Sequence, residues 1–319
     1  MRGECYSCGG TRGALFADIV IFIQKDQVPP APPCTPGTSC APAKPVGVNV
    51  TQEVQVVPQV NSEAVQRLEK AVTKSQRSRS VRFPIGFVRG DDPPLAKMMR
   101  GGQGGESRLR VYLLIRMMAT AAPHDVPITA TDIAACLGFP DPPGVGARRV
   151  NSALKVLASR EHNLVAIEAP PGRTRTMKIL RPDGSGEEWN DGDLKAPYIT
   201  LPIALWKKGW LLALSGRALA IFIVLRELTG GRKANGAWAD GIRKRQYGFS
   251  DDTWTRASEE LRDRGLLTVD RETYQSQGEP RQRNVYQLHL DVLEHCRPSE
   301  HPLHPLSDNA RPRRPAKPA

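Results

Sequence analysis

The sequence predicts a mainly α fold with small β-hairpins (α+β), laid out as two tandem domains between disordered N- and C-terminal tails. Three observations predict it. One order of signals occurs twice, at 128–180 and again at about 238–290: a short helix, a Gly turn, a longer amphipathic helix, an apolar strand, a basic loop with Gly or Pro, and a second strand. The length of 319 residues suits about two domains plus tails. The formal net charge of +12, from 45 Lys and Arg against 33 Asp and Glu, is the balance of a chain that meets polyanions.

Composition divides the chain. Residues 1–94 read as largely disordered with one short helix, because 1–60 is Pro-, Cys- and Val-containing without a helical period. The helix is 61–75, with an Asn or Ser cap and Val65, Leu68 and Val72 at helical spacing. Lys74, Arg77, Arg79, Arg82 and Arg89 follow as a basic linker. The first domain spans 95–181, an acidic Gly-rich connector fills 182–197, and the second domain spans 198–293. The basic stretch 294–319 is a Pro-, His- and Arg-rich disordered tail.

In the first domain, 106–120 is a strong helix with Leu109, Leu113 and Met117 on its buried stripe, ended by Pro123. Thr129 caps the next helix, 129–137, with Asp132 three residues on and Gly138 as its stop. The third helix, 146–161, carries the clearest binding signal. Val150, Ala153, Leu154 and Leu157 cluster on one side, and Arg148, Ser152, Lys155 and Ser159 on the other, flanked by Arg149 and Asn151. Cations and small hydrogen-bonding groups without a carboxylate suit base edges and phosphates. Strands at 164–168 and 176–180 follow, with Arg173 and Arg175 toward the hairpin tip.

The second domain opens with an extended entry at 198–202 and two apolar helices, 204–214 and 215–229. The near-continuous apolar content of 215–229 predicts burial in the core, in a domain–domain contact or in a homodimer interface. The helix 237–247 contains Arg243, Lys244 and Arg245; Gly248 turns the chain, and Ser250 caps the helix 251–264. The outer face of that helix has Asp252, Thr255, Arg256, Glu259 and Asp263, so its carboxylates oppose a phosphate backbone. Strands 266–271 and 283–290 complete the unit, with Arg281 in the connecting loop and Arg283 at the strand start.

This order, and the passage GLLTVDRE at 265–272 behind a capped amphipathic helix, resembles tandem winged helix-turn-helix DNA-binding proteins over about 95–293. Plasmid replication initiators with two winged-helix domains and some transcription regulators share it. The resemblance implies sequence-specific binding of double-stranded DNA by α+β winged domains, and with no motif for catalysis, metal or cofactor in the sequence, binding without a reaction is expected. A transcriptional regulator is the expected role. The alternatives are replication initiation on a plasmid or mobile element, and a winged-helix module for protein–protein assembly.

Other chemistry lacks its apparatus. The 6 cysteines do not describe a disulfide framework, and the Cys5–Cys8 pair lacks a matching second half for zinc. The run 100–106 is Gly-rich but lacks the Lys-Ser/Thr of a phosphate loop. The apolar stretch 211–225 is interrupted and short for a bilayer, and 14–23 is a poor signal peptide. The expected place is the cytoplasm, at the nucleoid, with no membrane partner.

Overall fold

The structure is a computed structural model that describes residues 60–169, 174–190, 197–230, 236–276 and 279–298. The N-terminal stretch before 60, with Cys5 and Cys8, and the tail beyond 298 lie outside the described residues. The described chain is mixed α and β, with small antiparallel sheets. In order it runs α1 (Ser62–Lys74), β1 (Ser80–Pro84), α2 (Pro94–Met99), α3 (Gly105–Met118), β2 (Asp125–Pro127), α4 (Ala130–Cys136), α5 (Ala147–Leu157), β3 (Val165–Glu168) and β4 (Thr176–Ile179). It continues with β5 (Tyr198–Pro202), α6 (Ala204–Lys207), α7 (Trp210–Ala213), α8 (Gly216–Thr229), β6 (Ala237–Trp238), α9 (Gly241–Arg245), α10 (Asp251–Asp263), β7 (Leu267–Ser276), β8 (Glu279–Leu288) and α11 (Leu290–His295).

Two stretches share one topology. The first is α3-β2-α4-α5-β3-β4, whose three strands lie in the order β2-β4-β3. The second is α8-β6-α9-α10-β7-β8, whose strands lie in the order β6-β8-β7. Corresponding turns use the same chemistry. Gly138 after α4 and Gly248 after α9 sit at φ 64° and 70°, where a Cβ is strained. A Cβ on Gly248 would also meet the Ala96 side chain at 2.9 Å. Thr129 and Asp240 cap α4 and α9 by accepting from the backbone N–H groups of Asp132 and Arg243, at 3.1 and 2.7 Å.

The repeats are not separated bodies on a linker. One hydrophobic cluster runs through both, and α3 packs directly on α8. Both helices are largely buried because neighbours surround them: α8 is covered by α3, α10 and β5 of its own chain. That removes the reason for reading 215–229 as a dimer face. At the α3–α8 contact the polar groups are matched. The Glu106 carboxylate accepts from the Gly216 N–H at 2.8 Å and pairs with Arg110 at 3.0 Å, and Arg110 donates to the carbonyls of Leu212 and Leu214. Glu260 of α10 accepts from both the Ser215 backbone N–H, at 2.7 Å, and the Ser215 hydroxyl.

Several expected boundaries move. The region expected to be a basic linker before 95 is folded: β1 pairs with β5 in register from Ser80↔Pro202 to Pro84↔Tyr198, and Val81, Phe83 and Phe87 are buried. Three of its cations have structural partners. Arg77 donates to the Met117 and Ala119 carbonyls at the end of α3, Arg82 lies over Tyr198, and Arg89 pairs with Glu227 at 3.1 Å. The expected connector is also folded as far as 190. Leu180 bridges to Glu188, Arg181 pairs with Glu187, and Trp189 is buried against Arg116 and His124. Residues 191–196 lie outside the described residues. The expected helix 237–247 shortens to α9, because Gly236 at φ 77° turns Ala237 and Trp238 into a strand beside β8 and Asp240 caps the helix by accepting from the Arg243 N–H. The second hairpin is longer than expected, pairing from Leu267↔Leu288 to Ser276↔Glu279.

Truncating Glu260 strips two donors at the start of α8 of their acceptor. Glu260→Ala should lower the unfolding free energy in urea by about 1–3 kcal/mol. Asp252→Ala, which opens an exposed pair on the same helix, should cost no more than about 1 kcal/mol.

Candidate nucleic-acid interface

In the first repeat α5 follows a π turn, Pro142–Gly146, that Asp141 holds by accepting from the Val145 N–H at 3.0 Å. A Cβ at Gly146 would stand 3.0 Å from the Ala134 side chain, so Gly lets α5 start close against α4. Val150, Ala153, Leu154 and Leu157 are buried, which turns the opposite stripe outward. On that stripe Arg148, Asn151, Ser152 and Lys155 are all exposed. Arg148 and Lys155 make no hydrogen bond or ion pair with a described residue. Arg149 differs: its Nε donates to the Ser107 hydroxyl at 2.5 Å and its guanidinium lies over the Phe139 ring at 4.7 Å. It ties α5 to α3. Behind it, burial lowers the Arg110 guanidinium from its ordinary value, with Glu106 opposing and Arg149 adding to the fall.

The hairpin β3–β4 stands beside this stripe. Arg175, just before β4, donates to the Asn151 side-chain Oδ1 at 2.9 Å, so the helix and the loop end of the hairpin form one surface. Arg173 lies outside the described residues. Lys178, farther along β4, pairs with Glu188 and is not available to a polyanion.

The second repeat is differently dressed. On α10, Arg256 pairs with Asp252 at 3.0 Å. Arg281 lies 3.9 Å from Glu279 on β8. Arg283 pairs with Glu272 at 2.8 Å and stacks between the Trp238 and Tyr274 rings, while Arg243 covers Trp238 as well. Lys244 lies over the Trp254 ring at 5.2 Å and 3.9 Å from Asp251. Arg245 alone of the basic run 243–245 is exposed and without a described partner. Most cations expected to touch DNA here already have an aromatic or acidic partner. Sequence reading missed this ladder because it placed Trp238 on a helix, whereas strand alternation sets Trp238 beside Val285 and on the face that carries Arg283.

Among the described residues no helix is long and apolar enough to cross a membrane. Comparison with protein-family models, curated proteins and solved structures finds no match.

The two neighbouring arginines of α5 should separate in stability measurements. Arg148→Ala should change the unfolding free energy by no more than about 0.5 kcal/mol, as an exposed and unpaired position does. Arg149→Ala loses the Ser107 bond and the ring contact and should cost about 1–2 kcal/mol.

Proposed function

We propose that the chain is a sequence-specific double-stranded DNA-binding protein built of two winged helix-turn-helix units, acting as a transcriptional regulator at the nucleoid. One observation carries this reading. The α5 stripe offers the unpartnered cations Arg148 and Lys155 beside Asn151 and Ser152, has no carboxylate, and is joined to its hairpin through Arg175. A helix of this kind, third in its unit and flanked by a hairpin, suits the major groove, with the hairpin against the adjacent backbone. Guanidinium pairs with the O6 and N7 of guanine, and the Lys155 ammonium suits either a base edge or a phosphate.

The second repeat takes the smaller part in this reading. Its α10 surface presents Asp252 and Glu259, and Arg256 is already neutralised by Asp252. Arg245 and the hairpin remain as its route to phosphate. The joining of both repeats through one core favours a second reading as well: an initiator that engages consecutive stretches of one duplex. Iterated sequences beside the gene would select initiation, and a single intergenic operator would select regulation.

Immunoprecipitation followed by sequencing of bound DNA should recover fragments that share a motif; recovery of no enriched DNA would leave assembly with proteins as the function. On the recovered motif, Arg148→Ala should weaken binding by about 1–3 kcal/mol and relax preference at one position. Arg256→Ala should cost less. If Arg256 is essential in competition binding and Arg148 is dispensable, the reading helix belongs to the other repeat.

A further inference from the structure

Burial and strand register put the two repeats in residue-by-residue correspondence around the helix–hairpin junction, and they part at one place. Burial aligns Val150, Leu154 and Leu157 of α5 with Trp254, Ser258 and Leu261 of α10. Strand register aligns Ile167 and Met177 with Val269 and Tyr286, and therefore Arg175 with Asn284. Asn151 then corresponds to Thr255. In the first repeat the Arg175–Asn151 hydrogen bond spans the gap between helix and hairpin. In the second the corresponding pair is Asn284 and Thr255, which do not bond to each other, and a cleft of about 280 Å³ lies between them.

The lining of that cleft has a definite chemistry. Its floor includes the Trp254 and Tyr286 rings and Ser258, all buried. The Trp254 indole N–H and the Ser258 hydroxyl have no protein partner there. A buried polar group without a partner costs about 1–3 kcal/mol, and Ser258 stands where the first repeat has a leucine. The walls carry Lys244, Arg262 and Arg271 against a single carboxylate, Glu259. Arg262 and Arg271 make no ion pair with a described residue. Asn284 adds an amide donor.

We propose that this cleft between α10 and the β7–β8 hairpin is a binding site for a small organic anion: a phosphate or carboxylate held by Arg262 and Arg271, attached to a flat apolar body resting on Trp254 and Tyr286. The volume sits just below the range of roughly 300–1,000 Å³ typical of drug-sized pockets, so the ligand is compact. The placement gives such a ligand a consequence. It would join α10 to the hairpin as Arg175 joins α5 to its own, and so fix the geometry of the second repeat. The inference stands apart from the DNA reading, since a site of this kind is equally usable by an assembly module.

Phenyl phosphate is a suitable probe, titrated into the ¹⁵N-labelled full-length chain with the Trp254 indole N–H as reporter, assigned through Trp254→Phe. The expected result is a saturable shift of that resonance, with affinity reduced about tenfold or more in the Arg262→Gln/Arg271→Gln double variant, as loss of charge-assisted hydrogen bonds requires. Both arginines are exposed, so the double variant should melt with the parent. Ser258→Leu, which installs the residue of the first repeat, should also abolish the shift. No saturable shift, or an equal shift in the double variant, overturns the proposal. A duplex oligonucleotide serves as the other arm: a shift with duplex and none with phenyl phosphate would assign the cleft to the DNA backbone and overturn the small-anion site.

Discussion

The contact between α3 and α8 is the constraint on which the rest of the molecule depends. Each is the first helix of its repeat, and each is buried over most of its length. Packed together they join both repeats into one continuous core. The cost of crossing two helices so deeply falls on the polar groups at their ends. Glu106 meets the N–H of Gly216, Arg110 meets the carbonyls of Leu212 and Leu214, and Glu260 meets Ser215 from the second repeat's own α10. A carboxylate at a helix N-terminus is favourable for charge as well as hydrogen bonding. Gly216 permits the approach, since a Cβ there would stand 2.6 Å from the Glu106 side chain.

From this contact both outward-facing helices take their positions. Arg149 reaches from α5 to Ser107 on α3, one residue from Glu106, while Glu260 reaches from α10 to the start of α8. The two exposed surfaces are thus attached to one centre by short polar links, and their chemistry has diverged. On α5 Arg148 and Lys155 stay unpaired and the helix is bonded to its hairpin. On α10 Arg256 is paired with Asp252, and the corresponding gap is open. An unpaired cation keeps its full attraction for a polyanion, whereas one already beside a carboxylate must give up that partner first.

Much of this was legible in the chain. The Thr129 and Ser250 caps, the Gly138 and Gly248 turns and the apolar stripes of α5 and α10 are local signals, and local signals survive into the fold. The α5 stripe was legible for the same reason. What stayed hidden depends on partners distant in sequence. β1 is five residues whose strand character rests on β5, and β6 is two residues held by β8. Arg77, Arg89 and Trp189 look like linker residues until α3, Glu227 and Arg116 are placed beside them. The continuity of the core was hidden too, because an all-round apolar helix such as α8 announces burial without naming what buries it.

Native-state hydrogen exchange across a urea series tests the shared core most directly. If α3 and α8 complete one another, their slowest amides should open with the same free energy and the same urea dependence, as parts of a single cooperative unit. Separate opening of the α8 repeat, at lower free energy and with a smaller urea dependence while α3 stays protected, would contradict the account and restore two independent domains.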